Sequence, residues 1–125
     1  MTNLIYPKLS YQIVGILFSV HNELGYGLRE ETYQKAIASA LKNKGIPFKE
    51  KLKSKLLIGD RVIKNYFIDF LIDDKIVLEI KAQERFYKDN IAQVYDYLKS
   101  KNLKLGIIAN FTKQGVKFKR IVHKY

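Results

Sequence analysis

The chain has 125 residues, 47% of them hydrophobic, so we predict a single domain over residues 1–125 with one sizeable core. It contains no cysteine, which excludes a disulfide framework and a thiolate zinc site. No segment approaches the roughly 18 to 20 uninterrupted apolar residues of a membrane helix. Residues 1–10 also lack a basic stretch followed by an apolar signal core. We therefore expect a cytoplasmic protein with no membrane partner.

The charge is strongly positive, because the chain has 23 Lys and Arg residues and only 12 Asp and Glu residues, for a formal net charge of +11. Such a surface attracts polyanions, of which nucleic acid is the commonest. The alternative is a lysine-rich composition that reflects an AT-rich genome and no polyanionic partner. Charge sets the affinity for phosphate and says nothing about chemistry or sequence preference.

Two helices open the chain. The first is an amphipathic run that we expect to be N-capped by Ser10 and ended by Gly25. Its apolar residues recur near a 3.6-residue spacing at Ile13, Ile16, Leu17, Val20 and Leu24. After a glycine-rich break, a second helix is predicted from about residue 29 to residue 43, and Gly45 stops it.

Strands dominate the second half of the chain. The remaining predicted elements are strands at 48–57, 62–72 and 75–82, a helix at 86–100, an apolar strand at 103–110, and a final strand or short helix at 117–122. The strand–helix–strand order favours a parallel crossover. The expected fold class is α/β or α+β, with a central mixed sheet flanked by helices in the order ααβββαβ.

Ionisable residues interrupt the apolar second and third strands. Asp69 lies in the run Tyr-Phe-Ile-Asp-Phe-Leu-Ile, and Glu79 and Lys81 lie in the run Ile-Val-Leu-Glu-Ile-Lys. Strands of this composition are usually buried, so packing alone does not explain the desolvation cost of three ionisable groups. Two carboxylates and a lysine that meet at one point form a divalent-metal site with a charged neighbour. That combination suits phosphodiester hydrolysis.

The connection between these strands decides whether the two carboxylates converge. Glu79 and Lys81 share one face of their strand because side chains alternate. A two-residue turn at Asp73-Asp74 would send Glu79 to the face opposite Asp69. A three-residue loop or a bulge pairs Asp69 with Glu79 directly, so a metal site requires an odd-length connection.

If the pairing holds, the two Cβ atoms lie about 5 Å apart, which is close enough for the carboxylates to share one cation. Without a cation they repel each other, and one proton affinity rises. Lys81 could then orient or deprotonate an attacking water, or stabilise charge on the phosphate. The alternative from spacing alone is a lysine–carboxylate ion pair on an edge strand or a solvated sheet face.

Several short blocks resemble a known family. Asp69 and Glu79-Ile80-Lys81 resemble the core of the PD-(D/E)XK nuclease superfamily. The run from Gly27 to Tyr33 (Gly-Leu-Arg-Glu-Glu-Thr-Tyr) is similar to the GxxExxY pattern of small prokaryotic proteins assigned to that superfamily. Residues 24–28, 92–98 and 105–111 resemble that family's LGxGL, AQxxxYL and LGLLxNF segments. The similarity covers about residues 10 to 122, and the order and spacing of the blocks make it specific.

The resemblance implies a PD-(D/E)XK nuclease-like fold and a metal-dependent nuclease whose partner is nucleic acid, with DNA favoured over RNA. It implies Mg²⁺ or Mn²⁺ held by Glu30, Asp69, Glu79 and the carbonyl of Ile80, with Lys81 as the catalytic lysine beside the three carboxylates. Taken alone, Glu30 at the start of a helix is better explained as a dipole partner or a capping residue.

Further residues are expected around this site. Gln93 and Tyr97 resemble the superfamily's QxxxY feature, and the alternative is a partly buried amphipathic face. Tyr26 and Tyr87 are candidates for stacking on bases. Lysines expected to hold the nucleic-acid backbone are Lys35, Lys49, Lys51, Lys53 and Lys88.

Two positions depart from the superfamily pattern. Ile68 stands where a proline is expected, and Asn90 stands where relatives often carry a histidine. The alternatives to a nuclease are a nucleic-acid-binding module that does not hydrolyse its ligand and an assembly subunit with an apolar patch around Phe111 or Phe118. A homodimer is compatible with a domain too small to encircle DNA.

Overall fold

The computed structural model describes residues 5–124 and contains three helices and five strands. The helices are α1 (Pro7–Leu24), α2 (Glu30–Asn43) and α3 (Lys88–Lys101). The strands are β1 (Phe48–Ile58), β2 (Arg61–Ile72), β3 (Ile76–Lys81), β4 (Leu105–Thr112) and β5 (Gly115–Val122). No helix in the described part of the chain is long and apolar enough to cross a membrane. The predicted lack of a signal segment includes residues 1–4, which lie outside the described residues.

The strands form one sheet in the order β1-β2-β3-β4-β5. β3 and β4 are parallel and are joined through α3, while every other neighbouring pair is antiparallel. This confirms the mixed sheet flanked by helices and the parallel crossover. It also decides the open choice for the last element, because β5 pairs with β4 from Leu105↔Val122 to Thr112↔Gly115.

The first helix begins four residues earlier than predicted, at Pro7. Proline suits the first turn, since its missing N–H would have no intrahelical partner there. Ser10 is therefore not the N-cap. It is buried inside α1, where its hydroxyl oxygen accepts a hydrogen bond of 3.0 Å from Arg120 Nη1 on β5. The predicted end of α1 is confirmed, because Gly25 has a φ of 75°.

The sheet separates two apolar cores. The first core lies between the sheet and helices α1 and α2 and is centred on residues such as Leu17, Leu41 and Leu78. The second core lies under α3 and includes Val94 and Ile108. The earlier suggestion of an apolar surface patch at Phe111 is wrong, because that ring is buried in the first core. Phe118 is partly exposed.

Helix α3 packs so closely on the sheet that only glycine fits beneath it at one position. A Cβ atom on Gly106 of β4 would lie 2.6 Å from Val94 Cγ1. The absence of a side chain there lets α3 approach the strands at the same sheet face that carries Glu79 and Lys81.

The β1–β2 hairpin changes faces halfway along its length. Phe48 and Phe70 pack in the first core, whereas Leu52 and Ile68 pack in the second. Residues an even number of positions apart share a face in a regular strand, so both strands turn over between these pairs. The register skips one pairing between Glu50↔Phe70 and Leu52↔Ile68, at Lys51 and Asp69, and Lys51 has a φ of 53°. Asp69 therefore lies at the point where the strands turn over.

Candidate active site

Asp69 and Glu79 meet where β2 separates from β3. The β2–β3 ladder runs from Ile72↔Ile76 to Phe70↔Leu78, which leaves residues 73–75 as a three-residue connection. The predicted odd-length loop is confirmed. Beyond the ladder, the Asp69 N–H donates to Glu79 Oε1 at 3.0 Å.

A second hydrogen bond completes this arrangement, because the Ile80 N–H donates to Asp69 Oδ2 at 2.7 Å. Each carboxylate thus accepts a main-chain N–H from the opposite strand, in place of the backbone ladder that ends at Phe70. The two carboxylates fill the gap between the strands, and their orientation is set by main-chain donors.

Burial raises the pKa of both carboxyl groups. Glu79 is only 5% exposed, and burial, followed by the charge of Asp69, raises its pKa from 4.5 to about 8. Burial also raises the pKa of Asp69, against the opposing effect of the Ile80 N–H. Two desolvated carboxylates side by side resist carrying two negative charges. The pair therefore favours a bound proton or a neighbouring cation.

Lys81 supplies positive charge on the same face of β3. Its Nζ lies 3.7 Å from Glu79 Oε2, and its side chain is 21% exposed. That distance is an ion pair but is too long for a good hydrogen bond. The ammonium group therefore keeps its donors available for another acceptor.

Glu30, the first residue of α2, lies beside this pair. Its Oε2 accepts a hydrogen bond of 3.2 Å from the N–H of Ala82, the residue after Lys81. Its negative charge contributes to the raised pKa of Asp69. The Glu30 carboxylate thus accepts a hydrogen bond from the residue after β3. A residue that only capped α2 would not need this contact.

The loop before α2 explains how Glu30 reaches this position. Gly27 has a φ of 90°, a conformation that favours glycine. The Tyr33 hydroxyl donates to the Gly25 carbonyl at 2.7 Å and accepts from the Leu28 N–H at 3.3 Å. The Tyr33 ring stacks on Phe111 with centroids 4.1 Å apart. The buried tyrosine therefore fixes the loop that places Glu30 at the sheet edge.

The donor set at this point suits a hard divalent cation in part. Carboxylate oxygens are the ligands that Mg²⁺ and Mn²⁺ prefer, and a cation between Asp69 and Glu79 would relieve the repulsion that raises their pKa values. Among residues 5–124, however, no three Asp, Glu, His or Cys side chains are gathered closely enough to hold a metal ion. Two carboxylates meet directly, and Glu30 lies next to them, bonded to Ala82.

Among residues 5–124, no hydrogen bond joins Gln93 or Tyr97, the two α3 residues of the QxxxY pattern, to Asp69 or Glu79. Tyr97 is buried in the second core, and burial raises its pKa. The Gln93 carbonyl accepts a 3.4 Å hydrogen bond from the Tyr66 hydroxyl. Its side chain lines a groove of about 270 Å³ between α3 and the β1–β2 hairpin, together with Lys64 and Asp89. This arrangement agrees with the amphipathic-face alternative for Tyr97 and leaves Gln93 accessible from the groove.

The remaining candidates lie on the surface. Tyr26 and Tyr87 are exposed, and the Arg85 guanidinium lies 5.1 Å from the centre of the Tyr87 ring. Lys88 is exposed at the start of α3. Lys35 forms an exposed ion pair of 3.4 Å with Glu31.

Among the strand lysines, Lys49 is the least suited to contact a substrate at this site. It forms an ion pair of 3.2 Å with Asp74, in the loop at the other end of the β2–β3 hairpin. Lys51 and Lys53 are exposed on β1, where Lys51 lies opposite Asp69 and Lys53 pairs with Phe67.

Sequence reasoning missed one polar residue next to the site. Asn110 of β4 pairs with Lys81 in the parallel register and is fully buried. Neither its Oδ1 nor its Nδ2 has a hydrogen-bond partner among residues 5–124. An unsatisfied buried amide costs about 1–3 kcal/mol. The signal was a polar residue inside the apolar run Ile-Ile-Ala-Asn-Phe, the same signal that identified Asp69.

Comparisons with known proteins agree with this fold. Solved structures with a similar fold include one described as the crystal structure of SSO0001, with 18% identity and a TM-score of 0.57. The match covers 95% of this chain and 59% of that one. An alkaline exonuclease (LHK-Exo) from Laribacter hongkongensis has 12% identity and a TM-score of 0.52, covering 98% of this chain and 73% of its own. At these identities the likeness shows the fold alone.

A search of the curated proteins finds no match. A model of the PD-(D/E)XK nuclease superfamily, however, matches residues 7–121, which is nearly the whole described chain. The chain therefore belongs to the PD-(D/E)XK nuclease superfamily.

Proposed function

We propose that this protein is a divalent-metal-dependent nuclease that hydrolyses phosphodiester bonds, with DNA as its substrate. The observation that carries the proposal is the Asp69–Glu79 pair, in which a half-buried and a buried carboxylate are held side by side by main-chain N–H groups. Membership of a nuclease superfamily and the net charge of +11 support a nucleic-acid substrate. The proposal also includes a location in the cytoplasm and the option of a homodimer.

Within the superfamily, we assign the chain to the GxxExxY family. The support is that each named residue of the pattern has a distinct structural task. Gly27 adopts a positive φ, Glu30 reaches the end of β3, and Tyr33 fixes the intervening loop through its hydroxyl group.

Asp69 and Glu79 would hold Mg²⁺ or Mn²⁺, with Glu30 and the main-chain carbonyl of Ile80 as further ligands. When bound, such a cation neutralises charge on the phosphate and makes a coordinated water more acidic. The N–H groups of Asp69 and Ile80 hold the two carboxylates in fixed orientations, so little reorganisation is needed when a substrate arrives.

Lys81 acts on the phosphate from the same face. Its ammonium group is ion-paired with Glu79 and still has donors for a phosphate oxygen or for the attacking water. In-line attack forms a new phosphorus–oxygen bond to water and breaks the bond to the leaving 3′ oxygen. The positive charge of Lys81 stabilises the negative charge that develops on the phosphate during this exchange.

The test is cleavage of supercoiled, linear and single-stranded DNA with Mg²⁺ or Mn²⁺, and with EDTA as the metal-free control. Glu79→Gln and Lys81→Met should each lower the rate by about 100-fold or more, as expected for groups that stabilise transition-state charge. Glu31→Gln is the matched control, because Glu31 neighbours Glu30 on α2 and is exposed. It should keep the wild-type rate.

Wild-type cleavage by both Glu79→Gln and Lys81→Met would contradict the proposal. Salt-sensitive DNA binding that EDTA does not affect, without any cleavage, would indicate a binding module instead. Calorimetric titration with Mn²⁺ gives an independent measurement, since stoichiometric binding should be lost in Asp69→Asn.

A further inference from the structure

Among residues 5–124, no helix packs on one face of the distal half of the β1–β2 hairpin, which comprises residues 51–68. The hairpin's inner side chains, including Leu52, Leu56, Tyr66 and Ile68, pack in the second core beneath α3. Because side chains alternate along a strand, the residues between them point the other way. We call the exposed set Lys53, Lys55, Asn65 and Phe67 the outer face.

Two cross-strand pairs make up the outer face: Lys53 with Phe67, and Lys55 with Asn65. All four residues are exposed. Phe67 is 57% exposed, compared with 44% for Phe18 and 38% for Phe118. An exposed phenylalanine directly opposite a lysine combines a free aromatic ring with a positive charge.

The charge of this hairpin is mainly positive. Residues 51–68 contain five basic residues and one acidic residue, Asp60, which lies in the turn between β1 and β2. A protein partner is poorly matched to such a surface, since lysine is depleted at the centre of protein interfaces. A second copy of the chain would oppose like charges across the contact. A polyanion matches the charge, and a polyanion with free bases also matches the ring.

The outer face leads to the candidate active site. Phe67 lies two residues before Asp69 on β2, and Lys51 lies opposite Asp69 where the register skips a pairing. A ligand that follows the lysines of β1 past Phe67 therefore arrives beside Asp69, at the point where the strands turn over.

We propose that the outer face binds single-stranded nucleic acid and guides it to the carboxylate pair. This inference rests on the proposed nuclease function and names the form of its substrate. Lys53 and Lys55 hold phosphates, and the Phe67 ring stacks on a base. Stacking requires an unpaired base, because the faces of paired bases are covered by their neighbours in a duplex. Base–aromatic stacking with backbone lysines is the usual basis of sequence-tolerant single-strand binding.

The first measurement is the affinity of the full chain for a fluorescein-labelled oligothymidylate, followed by anisotropy in EDTA so that no cleavage occurs. Phe67→Ala should weaken binding by at least about fivefold, the lower end of the stacking contribution. Phe67→Trp should retain or increase the affinity. Phe118→Ala is the matched control. Like Phe67, Phe118 is an exposed phenylalanine close to lysines, but it lies on β5 at the other edge of the sheet. It should leave the affinity unchanged.

The second measurement is the salt dependence of the same binding. The double variant Lys53→Gln with Lys55→Gln should make the slope of log affinity against log salt shallower by about 1.4, because each single-strand phosphate contact contributes about 0.7. The double variant Lys42→Gln with Lys99→Gln removes the same charge from the last turns of α2 and α3. It should leave the slope close to that of the wild type.

Wild-type affinity in Phe67→Ala would overturn the inference, as would a duplex that binds as tightly as the single strand. Sedimentation that shows a wild-type dimer converted to a monomer by Phe67→Ala would also overturn it, in favour of a contact between copies. Cleavage assays separate the two proposals. If Phe67→Ala weakens binding but the wild type cleaves DNA with neither Mg²⁺ nor Mn²⁺, the nuclease function is wrong and the binding face stands. If the wild type cleaves DNA but Phe67→Ala binds as tightly as the wild type, the nuclease function stands and the binding face is wrong.

Discussion

The two faces of the sheet differ sharply where β3 and β4 run side by side. Towards α1 and α2, both strands present only buried apolar residues: Ile76, Leu78, Ile80, Leu105, Ile107, Ala109 and Phe111. Towards α3, Val77 and Ile108 are apolar, but the positions nearer the strand ends are Glu79, Lys81 and Asn110. The same two strands therefore stabilise the fold on one face and carry ionisable groups on the other.

This division follows from the two-residue period of a strand. A substitution on one face changes few contacts on the other. Buried polar side chains that lower the stability of the fold can therefore be confined to the end of one face. The apolar face compensates for that cost. Truncating an apolar side chain on one face and replacing an unpaired buried polar side chain on the other should therefore have opposite effects on the stability of the metal-free protein.

The largest effect is expected on the apolar face. Leu78→Ala should lower the free energy of unfolding by about 2–5 kcal/mol, because Leu78 is fully buried and its removal leaves a cavity. Urea denaturation followed by circular dichroism measures this change. A loss below about 1 kcal/mol would mean that the first core can collapse around the gap, and would weaken the contrast between the faces.

The carboxylate pair should make the stability of the metal-free protein depend on pH. The folded-state pKa of Glu79 is raised from 4.5 to about 8, so its proton stabilises the fold fully below about 4.5 and this contribution is lost as the pH rises through 8. In EDTA, the free energy of unfolding should fall over this window by up to about 1.4 kcal/mol per pH unit. Glu79→Gln cannot ionise and should remove most of this slope.

Urea denaturation of both proteins at several pH values between 5 and 8 tests this expectation. The raised pKa of Asp69 acts in the same direction, so a small residual slope is expected in Glu79→Gln. Equal slopes in the wild type and the variant would show that Glu79 is not the group responsible.

The smallest effect is expected at Asn110, and its sign is the opposite of that at Leu78. Asn110→Leu should raise the free energy of unfolding by about 1 kcal/mol, since leucine has a similar branched shape and removes an unsatisfied buried amide. Thr112→Val is the matched control on the same strand face. The Thr112 hydroxyl donates to the Gly115 carbonyl at 2.8 Å, so its loss should destabilise the fold by about 1 kcal/mol. A destabilised Asn110→Leu protein would show that the amide has a partner.

Most of the element order could be predicted from the sequence, and the reasons for the errors are specific. The period of apolar residues and the glycine punctuation located α2 and the end of α1 to within one residue. Ser10 was misplaced as an N-cap because its actual partner, Arg120, lies 110 residues away. No local pattern records such a contact.

The candidate site was predictable only conditionally. The sequence identified Asp69 and Glu79 as polar residues in apolar strands and showed that they converge only if the loop is odd in length or a strand contains a bulge. The outcome depended on Asp73 and Asp74, which both adopt a left-handed φ of 53° in a three-residue connection. Neither residue is glycine, the residue type that usually indicates a positive φ in a turn, so the sequence did not predict this conformation.

The amino-acid sequence by itself determined the strand alternation, the placement of Glu79 with Lys81 on one face, and the excess of positive charge, because these follow from spacing and composition. Only the tertiary structure decided where β1 and β2 turn over, that Glu30 bonds to Ala82, and that Asn110 is buried with no hydrogen-bond partner in the described part of the chain. These features depend on contacts between residues far apart in the chain, and their energies are fixed only when the helices and the sheet pack together.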